Sequence, residues 1–166
     1  MSDTIRFCLA DYANPAHANA LVYLLDAYAR DPMGGGEGLS DFAKANVVHE
    51  LAKLPQAFTV LAFEGEGDEQ PVGLANCMQG FSTFACKPLV NVHDLVVLER
   101  YRGLRVGERM LALVEAIARD RGACKLTLEV LSGNTPAMRL YARAGFAQYA
   151  LDPAAGYAGF MQRWLD

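Results

Sequence analysis

The run LVNVHDLVVL (Leu89 to Leu98) passes directly into YRGLRVGERML (Tyr101 to Leu111), and this junction constrains the chain more than any other segment. The first run is apolar and rich in β-branched residues, which reads as a strand central in a sheet. Val106, Met110, Leu113, Val114 and Ile117 then recur at helical spacing until Gly122, a C-terminal stop. KLTLEVL (Lys125 to Leu131) is the next strand, so strand, helix and strand form one βαβ unit. Sheets of this kind take their ligands where a strand stops and a helix begins. At that place the chain puts Gly103 and Gly107 among Arg102, Arg105 and Arg109.

The flanking segments fix the fold class. TIRFCLA (Thr4 to Ala10) reads as a short strand, and Asn14 with Pro15 caps and opens a helix whose apolar stripe is Leu21, Leu24, Leu25 and Tyr28. DPMGGGEGLS breaks that helix, and Ser40 caps a second that runs to Leu54. AFTVLAF (Ala57 to Phe63) and PVGLANCMQ (Pro71 to Gln79) flank the acidic turn EGEGDEQ and predict an antiparallel hairpin. Beyond the βαβ unit, TPAMRLYARA predicts a helix with Thr135 as cap and Gly145 as stop, and GFAQYAL and AGFMQRWL predict two closing strands. The order β, α, α, β, β, β, α, β, α, β, β is that of an α+β fold in which a hairpin leads into a sheet containing one parallel crossover. A chain of 166 residues with no repeat or linker reads as a single domain, 1–166.

A helix amino terminus leaves its first N–H groups unpaired and carries partial positive charge, so a turn feeding it is suited to an anion. Gly103 and Gly107 permit close backbone approach and the arginines add charge, which together suggest a diphosphate; a tight turn with solvated arginines would carry the same residues. The net charge of -4 gives no general footprint for nucleic acid, so the arginine cluster is a local feature. No glycine-rich loop leads into Lys-Ser or Lys-Thr, and no G-x-G-x-x-G with a downstream acid occurs, which sets kinase and dehydrogenase readings aside. Hydrophobic residues make up 52% and charged residues 20%. No apolar run approaches the ~18 residues of a membrane span, and MSDTIRFCLADYANP lacks the basic and apolar regions of a signal peptide, so a soluble, cytoplasmic protein with no membrane partner is expected. Cys8, Cys77, Cys86 and Cys124 never form a C-x-x-C pair and are expected to be buried free thiols, with no metal site.

Two motifs together carry a resemblance. VHDLVVLERYRGLRVGERML followed by LEVLSGNTPAMRLYARAGF, about residues 90 to 147, resembles the acetyl-CoA-binding core of the GNAT superfamily of N-acetyltransferases, including its spermidine/spermine-type members. The resemblance implies a mixed central sheet of about seven strands flanked by about four helices. It also implies that the family's phosphate turn falls on Arg102, Gly103, Leu104, Arg105, Val106 and Gly107, continuing to Glu108, with backbone amides on the coenzyme A diphosphate. Leu95, Val96 and Val97 would pair with the pantetheine arm as an added strand. Asn134 would reach the cofactor, and Tyr141 would lie near the thioester sulfur. Arg105 stands where the family has a glycine, and an outward side chain there would meet a phosphate, for instance the ribose 3'-phosphate.

Acetyl transfer to an amine needs a neutral nucleophile, a stabilised oxyanion and a proton for the departing thiolate. His93 and Asp94 lie on the strand beside the expected thioester, and many relatives carry a glutamate where this chain has His93. An imidazole, with an ordinary pKa of ~6.5, suits a base, which favours His93 for that role and Asp94 for orienting it or receiving the substrate. A water chain as base, or a histidine hydrogen-bonded inside the sheet, is the alternative, and strand alternation sends the two side chains to opposite faces. Tyr141 is the expected acid and the N–H of Val97 or a neighbour the expected oxyanion donor. The expected walls of the acceptor pocket are residues 28–40 and about 150–160, and Asp26, Asp31, Glu37 and Asp41 suggest a cationic amine as readily as scattered solvated acids. The expected activity is acetyl transfer from acetyl-CoA to a small-molecule primary amine in a ternary complex. A protein or peptide acceptor, or a non-catalytic acyl-CoA-binding sensor module, is the alternative. Such proteins often dimerise, and GYAGFMQRWL could supply the interface of a homodimer or an ordinary core strand.

Overall fold

The structure, a computed structural model, describes residues 4–68 and 70–165. Its elements are β1 (Ile5–Leu9), α1 (Pro15–Arg30), α2 (Asp41–Ala52), β2 (Ala57–Glu64), β3 (Pro71–Ser82), β4 (Lys87–Val97), α3 (Val106–Asp120), β5 (Leu126–Leu128) and α4 (Thr135–Arg143), with single 3-10 turns at Glu99–Tyr101 and Pro153–Ala155. The strands form one sheet in sequence order, antiparallel from β1 to β4, with β5 parallel to β4. Among the described residues, no helix is long and apolar enough to cross a membrane.

Strand alternation divides the core between the two sheet faces. Val60, Ala62, Val72, Ala75, Val90 and Val92 meet Val106, Met110, Leu111, Val114 and Ala118 of α3. Leu61, Phe63, Leu74 and Val96 point the other way, against Ala20, Leu21 and Leu24 of α1 and Leu51 of α2. The caps follow the residue chemistry: Asn14 accepts from the Ala16 N–H and Ser40 from the Ala43 N–H. At α4 the cap is Asn134, not Thr135, because its carbonyl oxygen reaches the Ala137 N–H at 3.3 Å.

The sheet has five strands among the described residues, not about seven. GFAQYAL and AGFMQRWL form no strand, and Leu151, Tyr157, Phe160, Met161, Trp164 and Leu165 are exposed. Alternation describes a segment able to lie on a sheet, but the sheet must offer an edge. β5 pairs over only Leu126 to Leu128, shorter than the usual strand of roughly five residues, so its outer edge gives a following strand little to pair with. Pro153 and the left-handed Gly156 (φ 82°) interrupt the segment further.

The thiols also differ from expectation. Only Cys77 is buried; Cys8 is half-buried, and Cys86 and Cys124 are exposed at the β3–β4 turn and just before β5.

Candidate functional site

The site is opened by the unequal lengths of β4 and β5. They pair from Val90/Leu126 to Val92/Leu128, after which β4 continues to Val97 without a partner on that side among the described residues. The Leu98 N–H donates to Val72 of β3, so alternation turns the peptide groups of Val96 toward β3 and those of Leu95 and Val97 into the gap. Of the three residues expected to offer backbone to a pantetheine arm, two face the gap.

The turn at its end is built unlike the other helix starts. α3 has no side-chain cap; its N-cap residue, Arg105, lies in the left-handed region at φ 59° and ψ 20°. The first α3 amide with an intrahelical acceptor is that of Arg109, which donates to Arg105, so Val106, Gly107 and Glu108 keep free N–H groups among the described residues. Gly103, at φ 81°, supplies a second left-handed turn at low steric cost. Gly107 serves packing as well, since a Cβ there would stand 2.8 Å from Leu140 Cδ2 of α4.

The three arginines separate by role. Arg102 donates through Nε to the Val97 carbonyl and through Nη2 to Asp31, each at 3.0 Å, bracing the turn against β4 and the end of α1. Arg109 lies over the Phe7 ring at 4.4 Å and donates to the Ile5 carbonyl, so it belongs to the β1 edge rather than to an anion. Arg105 is exposed and has no carboxylate or ring partner among the described residues. Glu108 accepts from Arg143 at 2.6 Å, joining α3 to α4 by its side chain.

Two of the three expected catalytic residues, His93 and Asp94, lie at the β-bulge of β4, and the third, Tyr141, lies on α4. Asn76 pairs with Asp94 but Cys77 pairs with Val92, so His93 is the extra residue of the bulge, and it is exposed. Asp94 accepts from Asn76 Nδ2 at 3.0 Å and lies close enough to Tyr28 to help hold that phenol protonated, after the larger effect of burial. Burial, and then Tyr28, push the Tyr141 phenol up to about 12. Tyr28 therefore joins Asp94 and Tyr141 in one neighbourhood, whereas His93 has no hydrogen bond to either among the described residues. Tyr141 also packs edge-on against Phe146, with centroids 5.9 Å apart.

Of the acids expected to draw a cation, two have other work. The Asp26 carboxyl is held below its usual range first by Arg30 and further by the Leu39 N–H and Lys44, and it anchors the 31–40 segment. Asp31 is lowered by the Met33 N–H and then by Arg102. The register adds Asn91, Thr127 and Glu129 to the α1/α2 side of the sheet: Asn91 stands opposite Met78 and donates to Thr127 at 3.1 Å and to Glu129 at 3.4 Å. The sequence hid these residues because only register brings them beside Asp94. A separate open cavity of about 600 Å³, lined in part by Asn19, Tyr23, Gln70 and Arg100, contains neither Asp94 nor Tyr141.

Cys77 and Tyr141 have a measurable consequence at high pH. Burial, with Asp94 adding to it, pushes the Cys77 thiol from its usual 9.0 to about 12, while Tyr141 rises from 10.0 to about 12. The unfolded chain therefore loses these protons first, and stability falls as pH rises from about 9 towards 12. Tm should decline over this window, and less steeply in Cys77→Ala and Tyr141→Phe; equal slopes in all three proteins would contradict the assignment.

Comparison with known proteins adds to this geometry. The model of the Acetyltransferase (GNAT) family matches residues 19–146. The chain is 35% identical over 86 residues to the streptothricin acetyltransferase of Streptomyces lavendulae, an alignment covering 50% of this chain and 46% of that relative. It therefore spans about half the length of the curated relative it matches. A probable acetyltransferase of known structure superposes with a TM-score of 0.79 at 19% identity, covering 97% of this chain and 99% of that one. An aminoglycoside acetyltransferase from an uncultured soil metagenomic sample, solved with sisomicin, gives 0.76 at 12% identity, covering 97% of each chain.

Proposed function

The chain belongs to the GNAT acetyltransferase family, and on that premise we propose that it transfers an acetyl group from acetyl-CoA to a primary amine of a small cationic molecule, directly within a ternary complex. The observation that carries this reading is the uncapped start of α3, with free amides at Val106, Gly107 and Glu108, at the end of an open β4 edge. A diphosphate suits that start because the amides and the helix dipole act together on an anion.

When bound, acetyl-CoA supplies the acetyl group as an activated thioester. Gly103 to Glu108 would hold its diphosphate, and the gap-facing backbone of Leu95 and Val97 would receive the pantetheine arm. The Val97 carbonyl already accepts from Arg102, so pairing falls on the Val97 N–H and on Leu95, and the same N–H suits a developing oxyanion. Asn134 caps α4 through its oxygen, which leaves its NH2 for the cofactor. His93 takes the proton from the acceptor amine, either directly or through water, as its exposed bulge position allows. Asp94 receives the cationic acceptor, and Tyr141 donates a hydrogen bond to the sulfur.

Two of the relatives, a streptothricin acetyltransferase and an aminoglycoside acetyltransferase solved with sisomicin, support a small amine-bearing acceptor. The test is CoA release from acetyl-CoA with streptothricin, sisomicin and spermidine as acceptors. A ternary complex gives intersecting double-reciprocal lines and ping-pong gives parallel ones; no release with any amine, alongside normal acetyl-CoA binding, would favour the sensor module.

Arg105 gives a separate prediction. A left-handed non-glycine residue costs about 1–2 kcal/mol, and glycine's extra unfolded freedom about 0.5–1, so Arg105→Gly should gain roughly 0.5–1 kcal/mol of stability. If its guanidinium meets the ribose 3'-phosphate, the same variant loses the preference for CoA over dephospho-CoA. Unchanged discrimination between the two ligands would remove that role.

A further inference from the structure

Three polar side chains, the last of them Asp94, cross the sheet on the face that packs against α1 and α2. Thr59 of β2, Asn76 of β3 and Asp94 of β4 are directly opposite one another in register. Thr59 and Asn76 are buried at 1% and 3% exposure, among Leu61, Phe63, Leu74 and Val96 of the same face. Thr59 Oγ1 lies 2.7 Å from Asn76 Oδ1, Asn76 Nδ2 lies 3.0 Å from Asp94 Oδ2, and Tyr12 OH lies 2.9 Å from Thr59 Oγ1.

The donor inventory fixes the direction of this chain. A carboxylate only accepts, so Asn76 must present its NH2 to Asp94 and its carbonyl oxygen to Thr59. Thr59 then spends its single hydrogen on Asn76, and the remaining bond must be donated by Tyr12. Every hydrogen points toward Asp94. Polar groups at these depths are costly unless fully paired, and apolar residues of similar shape would pack as well. The chain ends on a half-buried carboxylate whose Oδ1 has no hydrogen-bond partner among the described residues.

We propose that Tyr12, Thr59 and Asn76 are positioning residues that fix the Asp94 carboxylate toward a cationic acceptor amine. This rests on the reading of Asp94 as the group that receives the acceptor. Asn76 anchors Oδ2, which stops the carboxylate from rotating and leaves Oδ1 to the amine; Thr59 and Tyr12 stop the Asn76 amide from flipping. The preference for a protonated acceptor is thus set partly from two strands and a loop away.

The test compares Thr59→Val, Thr59→Ser, Tyr12→Phe and Asp94→Asn with the wild type, using whichever of sisomicin, streptothricin and spermidine is turned over fastest. Thr59→Val and Tyr12→Phe should each raise the acceptor KM about tenfold, the usual scale for losing one hydrogen bond to a charged network, with acetyl-CoA KM unchanged. Thr59→Ser keeps the hydroxyl and should stay within about twofold of wild type. If Asp94→Asn impairs acceptor use but Thr59→Val behaves like Thr59→Ser, the positioning chain is wrong and the reading of Asp94 stands. If Asp94→Asn changes nothing, that reading falls and takes the chain with it. A turnover-independent measurement is hydrogen exchange of the Asn76 side-chain amide by NMR, slow in wild type and Thr59→Ser and faster in Thr59→Val and Tyr12→Phe. Equal exchange in all four overturns the proposal, and Tyr12→Phe serves if Thr59→Val does not fold.

Discussion

Asp94→Asn lowers kcat/KM for the acceptor amine about a hundredfold and leaves the acetyl-CoA KM within about twofold. The substitution keeps the size of the side chain and an oxygen able to accept from Asn76, so it removes charge while preserving shape. Removing one member of a desolvated charge pair costs about 2–5 kcal/mol, a factor of roughly 30 to several thousand. Asp94 is only half-buried, which places the expected loss in the lower part of that range. Steady-state kinetics with each substrate varied in turn separate the outcomes. A loss shared equally between acceptor and acetyl-CoA would point to a disturbed β4 bulge, and an unchanged acceptor kcat/KM would remove Asp94 from the site.

Tyr141→Phe lowers kcat about a hundredfold at pH 7–8 with little change in either KM, at the low end of the range for a positioned proton donor. The reason for the low end is the phenol itself, which burial and Tyr28 push up to about 12. An ordinary thiol titrates near 8.5, so full proton transfer to the thiolate would run uphill by about 3–4 pKa units, roughly 5 kcal/mol. On the proposed reading Tyr141 would therefore act on the departing sulfur as a hydrogen-bond donor, with the proton supplied later by solvent. Phenylalanine keeps the edge-on contact with Phe146, so folding should be little affected. The rate deficit should remain nearly constant from pH 7 to 10. A deficit that vanishes as pH rises through 8 or 9 would mean instead that Tyr141 delivers a proton in the slow step.

Where side chains obey local rules, the sequence was sufficient. Asn14 and Ser40 cap their helices, the β2–β3 hairpin forms, and the strand, turn and helix around Val97 to Val106 fall as the apolar periodicities predict. Long-range pairing was harder to read. The closing strands fail because a three-residue β5 offers almost no edge, and nothing local to GFAQYAL or AGFMQRWL encodes that.

Within the candidate site, the glycines and arginines marked the turn, but not how its charges divide. Arg109 settles over Phe7, a residue 102 positions away, and Arg102 finds Asp31 across the α1 end. Asn76 and Thr59 are single polar residues within apolar strands. Only the register Thr59, Asn76, Asp94 turns them into a line, and the His93 bulge that creates this register on β4 has no local signature.

Thermal unfolding with and without acetyl-CoA tests cofactor binding at the start of α3 most directly. A ligand that binds only the folded chain at about a hundred times its Kd adds about 2.7 kcal/mol. For a chain of this size that amounts to a Tm rise of roughly 5–10 °C. That rise is expected with acetyl-CoA and with CoA. An unchanged Tm at millimolar acetyl-CoA would contradict that binding, because the free amides of Val106, Gly107 and Glu108 would then not be holding the diphosphate.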